Sequence, residues 1–418
     1  MGTIKSRIAH LTLLIGLTGV AVSASAAVFV QCPGDLNGDA DITDPGEAPD
    51  PAHPNATCKH LTAGDGFITM ADGKLQYTFG FSDVTGVAPG QVMTDGALAA
   101  NFPAPTIMLK QGQEFYLTLS NVGMVMRPDL FDPHSVHFHG FPNAATIFDG
   151  VPEASVAINQ GASFSYYYNI QEPGTFMYHC HVEATEHMQM GMLGNLYVMP
   201  AQNELPDGTL LGIHVHRNNV AQHDKYVYND GDGSTYYDVE YPIQIGSFDS
   251  DFHDASMNVQ PLPFANMKDK YAMLNGRGYP DTVNSAALTP PADNGNKPSQ
   301  LVSSLIAASS GQKILLRISN LNVTNFYTLT ALGLPMRVVG GGAHILRGPD
   351  PDGNGPLQGK DLYYDTASVT LGGGEAVDVI VDTAGVAPGT YFLYTTNLNF
   401  LSNNTEDFGG MMTEIVIN

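Results

Sequence analysis

The sequence predicts an all-β chain made of two related β-sandwich domains, and three observations carry that expectation. Segments such as "EFYLTLSNV", "ASFSYYYNI", "KILLRISNL" and "AVDVIVDT" have the alternation, or the β-branched and aromatic content, of half-buried strands. They are punctuated by turns drawn from 45 glycines and 27 prolines, while long helical periodicities are missing. The chain also repeats itself: "EPGTFMYHCH" at 172–181 is echoed by "APGTYFLYTT" at 387–396, and "LTLSN" at 117–121 by "LRISN" at 316–320.

Taken in order, residues 1–26 read as a secretory signal peptide, with Lys5 and Arg7 ahead of the apolar run "LTLLIGLTGVAV" and the small-residue stretch "ASAA". No later segment approaches the ~18 continuous apolar residues of a spanning helix. The expectation is an exported, soluble protein, secreted or periplasmic, with no membrane partner. An acidic segment follows at 27–59, holding Cys32 and Cys58, and export favours a disulfide between them that closes a loop of about 27 residues. In the same segment Asp35, Asn37, Asp39 and Asp41 alternate like the oxygen ligands of a calcium loop. The twelfth position of that count carries no acid, so a solvated acidic turn is the favoured reading and calcium the competing one.

The two sandwich copies are expected at 60–200 and 238–418, joined by a polar linker over 201–237 ("NELPDGT", "NDGDGS"). The chain has 17 basic and 41 acidic residues, a formal charge of −24. A surface of that sign repels phosphate backbones and excludes nucleic acid as a partner. Cations are compatible with it, although its simplest use is to keep an exported protein in solution.

Chemistry concentrates in two stretches, "HSVHFHG" at 134–140 and "YHCHVEATEHMQMGM" at 178–192. Along an extended chain successive side chains face opposite sides, so His179 and His181 share one face and Cys180 takes the other. By the same count His137 and His139 share a face that His134 does not. Two ligand sets emerge. His134, Cys180, His187 and Met192 offer one thiolate, two imidazoles and a thioether, the donor set of blue-copper electron transfer. Zinc is the competing metal, but structural zinc prefers paired cysteines and rarely takes methionine. A merely buried cysteine among surface histidines does not explain four such ligands in this order. Met188 and Met190 read as packing residues. The second set is His137, His139, His179 and His181, four imidazoles that suit copper, zinc, iron or nickel alike. Cys180 is joined covalently to two of them, which supplies a short route for electrons between the sets.

These residues resemble the multicopper oxidases. "HSVHFHG" is similar to that family's HxxHxHG motif, and "HCHVEATEHMQMGM" to its HCH…H…GM motif, with Gly191 and Met192 as the closing pair. "LNGRGYPDT" at 274–282 and the stretch from "LRISN" to "MRVV" (316–339) resemble the second domain of that family, so nearly the whole chain is covered. The resemblance implies two cupredoxin-like Greek-key sandwiches. It implies a type 1 copper on His134, Cys180, His187 and Met192, and half of a trinuclear type 2/type 3 copper cluster on His137, His139, His179 and His181. The implied activity is an oxidoreductase that takes electrons from a phenolic or metal-ion reductant and passes them to dioxygen. A homo-oligomer, specifically a trimer, is the implied assembly.

The chain departs from the family in two places. Five residues separate His181 from His187 instead of three. A complete trinuclear cluster uses eight histidines, yet Tyr394, Thr395 and Thr396 stand where His179, Cys180 and His181 stand in the first copy. Tyr327, Thr330 and Leu332 likewise replace His134, His137 and His139, so the second copy is expected to lack its own copper ligands. His214, His216, His223, His253 and His344 are the remaining candidates to complete the second set. A two-domain copper nitrite reductase and a blue-copper carrier without enzymatic activity stay open as alternatives.

Overall fold

The structure is a computed structural model and describes residues 29–348 and 359–418. The leader expected at 1–26 lies outside the described residues. Among these, no helix is long and apolar enough to cross a membrane.

The first sandwich has two four-stranded sheets. One runs β2 (Leu75–Asp83), β1 (Ala56–Thr69), β4 (Glu114–Gly123), β6 (Ser163–Asn169). The other runs β3 (Ala104–Lys110), β8 (Leu193–Met199), β7 (Gly174–His179), β5 (His137–His139). Alternate residues of both sheets meet in one core, with Leu61, Phe79, Leu117 and Tyr166 from the first against Ile107, Phe138, Tyr178 and Leu196 from the second. Burying such side chains stabilises by about 1.5–3 kcal/mol each.

The pairing is mixed in direction, because β1 runs parallel to β4 and β3 parallel to β8, whereas β1 and β2 are antiparallel. Between β2 and β7 the chain crosses from sheet to sheet at each step, so the parallel neighbours β1 and β4, and β3 and β8, are separated by crossovers, the connection that parallel strands require. Turn residues and alternation do not encode that choice.

The second sandwich packs a seven-stranded sheet, which includes Val239–Phe248, Lys313–Asn320 and Glu375–Asp382, against a five-stranded one that includes Tyr327–Ala331 and Gly389–Thr395. Its core holds Ile243, Leu316, Ile318, Leu329, Val379 and Leu393. The internal repeat is visible in the register. His137 pairs with His179 between β5 and β7, and Thr330 pairs with Tyr394 at the same place in the second sandwich. The backbone scaffold of the histidine pair persists there without the imidazoles.

The segment 201–237 is packed rather than strung between domains. Val227, Tyr228 and Tyr237 are buried with Leu315, Val339 and Ile380 of the second sandwich. The sandwiches are clamped where the second meets the outer face of β7 and β8. There the buried Arg317 donates to Glu240 (2.8 Å) and to Thr175 of β7 (3.0 Å). Asp378 in turn accepts from Thr175 (2.5 Å) and from Tyr228 (2.6 Å).

Cys32 and Cys58 form a disulfide. In the loop that follows Cys32, Asp35 accepts from the Gly38 and Ala40 amides, Asn37 from Asp39, Asp39 from Asp41 and Asp41 from Thr43. The alternating oxygens thus shape an acidic turn by bonding its own main chain.

Candidate metal centres

Strand β7 ends at His179, but the Cys180 amide still donates to the Met192 carbonyl at 3.1 Å, which keeps the alternation running one residue further. Cys180 therefore turns into the core, fully buried, and His179 faces the other way. His134 is held by a two-way main-chain bridge with Ile158 and is also fully buried. The long spacer before His187 coils into the short helix Ala184–Gln189, started by Glu183 in a left-handed conformation (φ 46°). This helix brings His187 back over the cysteine. Gly191 follows at φ 117°, where a Cβ would stand 2.8 Å from the Phe79 carbonyl, so only glycine lets the chain turn from the helix into β8.

The Cys180 sulfur lies 3.2 Å from His187 Nδ1 and 3.8 Å from His134 Nδ1. Met192 is fully buried and is fixed beside Cys180 by the main-chain bond already described. His134 Nε2 and His187 Nε2 are buried without a hydrogen-bond partner, and Asp132 Oδ2 stands 3.8 Å from His187 Nε2. Burial, reinforced by the neighbouring His187, holds the His134 ring far below its ordinary pKa. Burial acts the same way on His187, but the Cys180 sulfur and Asp132 outweigh it and raise that ring to about 10. A thiol and two imidazoles that face one another in a fully buried pocket fit a soft, nitrogen- and sulfur-seeking metal, and with methionine beside them they fit copper.

The second set is open to a cleft. His137, His139 and His179 offer ligand nitrogens that all lie within 4.8 Å of one another. The ring of His181 stands beside them, its centre 5.0 Å from His137 and 5.5 Å from His179. His137 Nδ1 donates to the Asp149 carbonyl (2.7 Å) and His179 Nδ1 to the Cys180 carbonyl (2.8 Å), which leaves each Nε2 free to bind. His139 turns Nδ1 toward His179 Nε2, 3.3 Å away. Burial lowers the pKa of His137 and His139, and it brings His179 to about 3 despite the opposing bond to Cys180. At neutral pH these rings are uncharged, the state in which imidazole binds metal. The cleft has a volume of roughly 300 Å³ and is lined by all four histidines and by Met188. Its far wall is Leu321, Asn322, Gly373 and Gly374 of the second sandwich.

The structure does not bring the other candidate histidines to this site. His214 bonds Asp224, His216 bonds Tyr226 and Leu205, and His223 bonds Asn218. His253 is buried between the carbonyls of Tyr77 and Gln189, and His344 bonds Gly342. Among the described residues, the two groups able to hold a metal ion are both in the first sandwich. Met190 is fully buried in the core of the first sandwich, and Met188 packs beneath the cleft. Asp132, Asp149 and Gly374 escape sequence reasoning, because each reaches a histidine ring only through the fold.

Residues 87–222 match a family model described as multicopper oxidase. A laccase of Aspergillus fumigatus is 30% identical over 131 residues, 31% of this chain and 20% of that protein. The L-ascorbate oxidase of Cucurbita pepo var. melopepo is 33% identical over 109 residues, 25% of this chain and 18% of that protein. The matched stretches thus span a fifth or less of these curated relatives. Among solved structures, a blue copper oxidase from Nitrosomonas europaea superposes with a TM-score of 0.59 at 21% identity, covering 87% of this chain and 86% of that one. A copper nitrite reductase from Nitrosomonas europaea superposes at 0.52 and 16% identity, covering 87% and 94%. Residues 87–222 therefore match the multicopper oxidase family model, on a frame of two cupredoxin-like sandwiches.

Proposed function

We propose that this protein is an exported copper oxidoreductase that draws single electrons from a reducing substrate and delivers them to dioxygen. Copper, when bound, supplies one-electron chemistry at His134, Cys180, His187 and Met192 and oxygen reduction at His137, His139, His179 and His181. The chain's own part is positioning. The buried core around Cys180 excludes water from the first set, and main-chain carbonyls fix the tautomers of His137 and His179 in the second. One observation carries the reading: Cys180 sits 3.2 Å from His187 in one ligand set while its covalent neighbour His179 belongs to the other. Electrons that reach Cys180 have a path of a few bonds to the second set.

The substrate class is read from the surroundings of His187. Asp132 lies at its outer nitrogen, and both Asp132 and Glu183 raise the pKa of the nearby Glu186 by their charge, secondary to burial. An acidic approach to the electron-accepting ring favours a cationic donor such as a low-valent metal ion over a neutral phenol. Export rests on the leader sequence and on the Cys32–Cys58 disulfide, a bond that persists in oxidising compartments.

The test is to load the purified protein with copper and record its visible spectrum, then to follow oxygen uptake with ferrous ion, with a phenolic donor, and in parallel nitrite turnover. A blue charge-transfer band together with donor-dependent oxygen uptake is the expected result. A copper-loaded protein without that band overturns the reading, and turnover of nitrite but not oxygen replaces it with the reductase.

A further inference from the structure

The triple glycine 372–374 takes no part in the proposed electron path, yet each of its residues is pinned. A Cβ at Gly372 would meet the Phe326 ring at 2.5 Å, and one at Gly373 the Asn322 carbonyl at 2.3 Å. At Gly374 a Cβ would meet His139 Nε2 at 2.7 Å, and the backbone there has φ +92°. This turn joins Ser368–Leu371 to Glu375–Asp382 and is held rigidly: the Gly374 amide donates to Asn320 (2.8 Å) and the Gly372 amide to the Glu375 carboxylate (2.6 Å). The second sandwich therefore lays bare main chain against a ligand ring of the first. The Gly374 backbone lies against His139, while His137 bonds the Asp149 carbonyl and His179 the Cys180 carbonyl. His137 and His179 each have one nitrogen tied to main chain and the other turned into the site, the arrangement that orients metal-binding histidines, and His139 is confined between His179 and Gly374.

A trinuclear cluster asks for four more imidazoles facing these. The facing surface holds Leu321, Asn322, Gly373 and Gly374, with no imidazole among them. Every described histidine outside the two sets has a ring hydrogen bond elsewhere, including His53 to Glu114 and His60 to Ser120. Gly374 of the same chain already fills the space in front of His139, where even a Cβ would stand 2.7 Å from Nε2. The geometry points to a second centre that holds a single copper ion on His137, His139 and His179, with His181 beside it, and that is closed by Gly374 of the same chain rather than by a neighbouring subunit. This rests on the copper reading proposed above and departs from the three-metal cluster that the family resemblance implies.

The test uses the full chain loaded with copper, with total copper measured by elemental analysis and unpaired spins by paramagnetic resonance. Two coppers per chain, both visible as spins, are expected, and the count stays at two when the protein is diluted until sedimentation shows monomers. Gly374→Ala is expected to bind the second copper at least tenfold more weakly while the blue band is unchanged, the unchanged band serving as its folding control. Four coppers per chain, a spin-silent pair, or loss of the second copper on dilution overturns the inference. So does a Gly374→Ala variant that is blue and retains the second copper at wild-type affinity. Absence of the blue band in the wild type instead sinks the copper reading itself, so the two failures are distinguishable.

Discussion

The Cys180 sulfur lies 3.2 Å from His187 Nδ1, although one residue leaves the end of a strand and the other the middle of a short helix. Both are fully buried, and the sulfur's other polar neighbours are His134 Nδ1 and the Val182 carbonyl at 3.7 Å. Serine in this place keeps the volume and loses the soft ligand. Cys180→Ser is therefore expected to abolish the blue band and oxygen uptake, while the metal-free stability stays within about 1–2 kcal/mol of wild type. His137→Ala is expected to separate the two centres, keeping the colour and losing turnover. Visible spectra and oxygen electrode traces on both variants check this, and a blue Cys180→Ser protein refutes the ligand assignment.

Asp132 stands between His187 and solvent, with its side chain 18% exposed. Removing its charge keeps every candidate ligand in place, withdraws the carboxylate beside His187, and lowers the negative charge that an approaching donor meets. For Asp132→Ala we expect kcat/KM with ferrous ion to fall roughly tenfold, about 1.4 kcal/mol, and to change little with a neutral phenol. Raising the salt concentration should shrink the wild-type advantage for the cation. Equal losses with both donors would show that Asp132 acts on the histidine rather than on the substrate.

The clamp between sandwiches makes a stability prediction. Arg317 and Asp378 are both buried, 3.7 Å apart, and share Thr175 as a hydrogen-bond partner. Taking away Asp378 leaves the buried Arg317 with Glu240, so the cost is that of the lost pair and its hydrogen bonds, about 1–3 kcal/mol. Asp378→Asn should lower the unfolding free energy from denaturant titration by that amount, and the double variant Arg317→Met with Asp378→Asn should recover part of the loss. Because Thr175 lies on the strand that carries His179, we also expect weaker copper retention at the second centre. A single variant as stable as wild type contradicts the picture of a buried clamp.

The two ligand sets were legible because alternation along an extended chain is a local property, and it divides Cys180 from His179 without reference to the rest of the fold. The same locality explains the misses. The spacer before His187 has no helical periodicity of its own, so the helix that aims the ring is imposed by the packing around it. Asp132, Asp149 and Gly374 touch histidine rings through tertiary contacts that no spacing records. Residues 201–237 read as a solvated linker because they are polar. Their polar groups instead satisfy one another, as where the buried Asp230 accepts from Gln202, Gly233 and Thr235. Polarity marks a need for partners, and water is only one of them.

His60 makes the pH dependence concrete, away from either ligand set. It is fully buried on β1, with Nε2 2.8 Å from the Ser120 hydroxyl and Nδ1 without a partner. Burial lowers its pKa from 6.5 to about 4, against the opposing pull of Asp83 and Asp35. A base depressed in the folded state binds fewer protons than in the unfolded chain. Its contribution is complete above pH 6.5 and is lost as pH falls through the window down to about 4. The loss is on the order of 3 kcal/mol over that window. His60→Gln keeps a hydrogen-bonding group at Ser120 but cannot titrate, so its stability should fall less steeply than that of wild type between pH 7 and 4. Denaturant midpoints of the metal-free proteins across this range provide the check, and parallel curves for the two proteins would rule His60 out as a source of acid sensitivity.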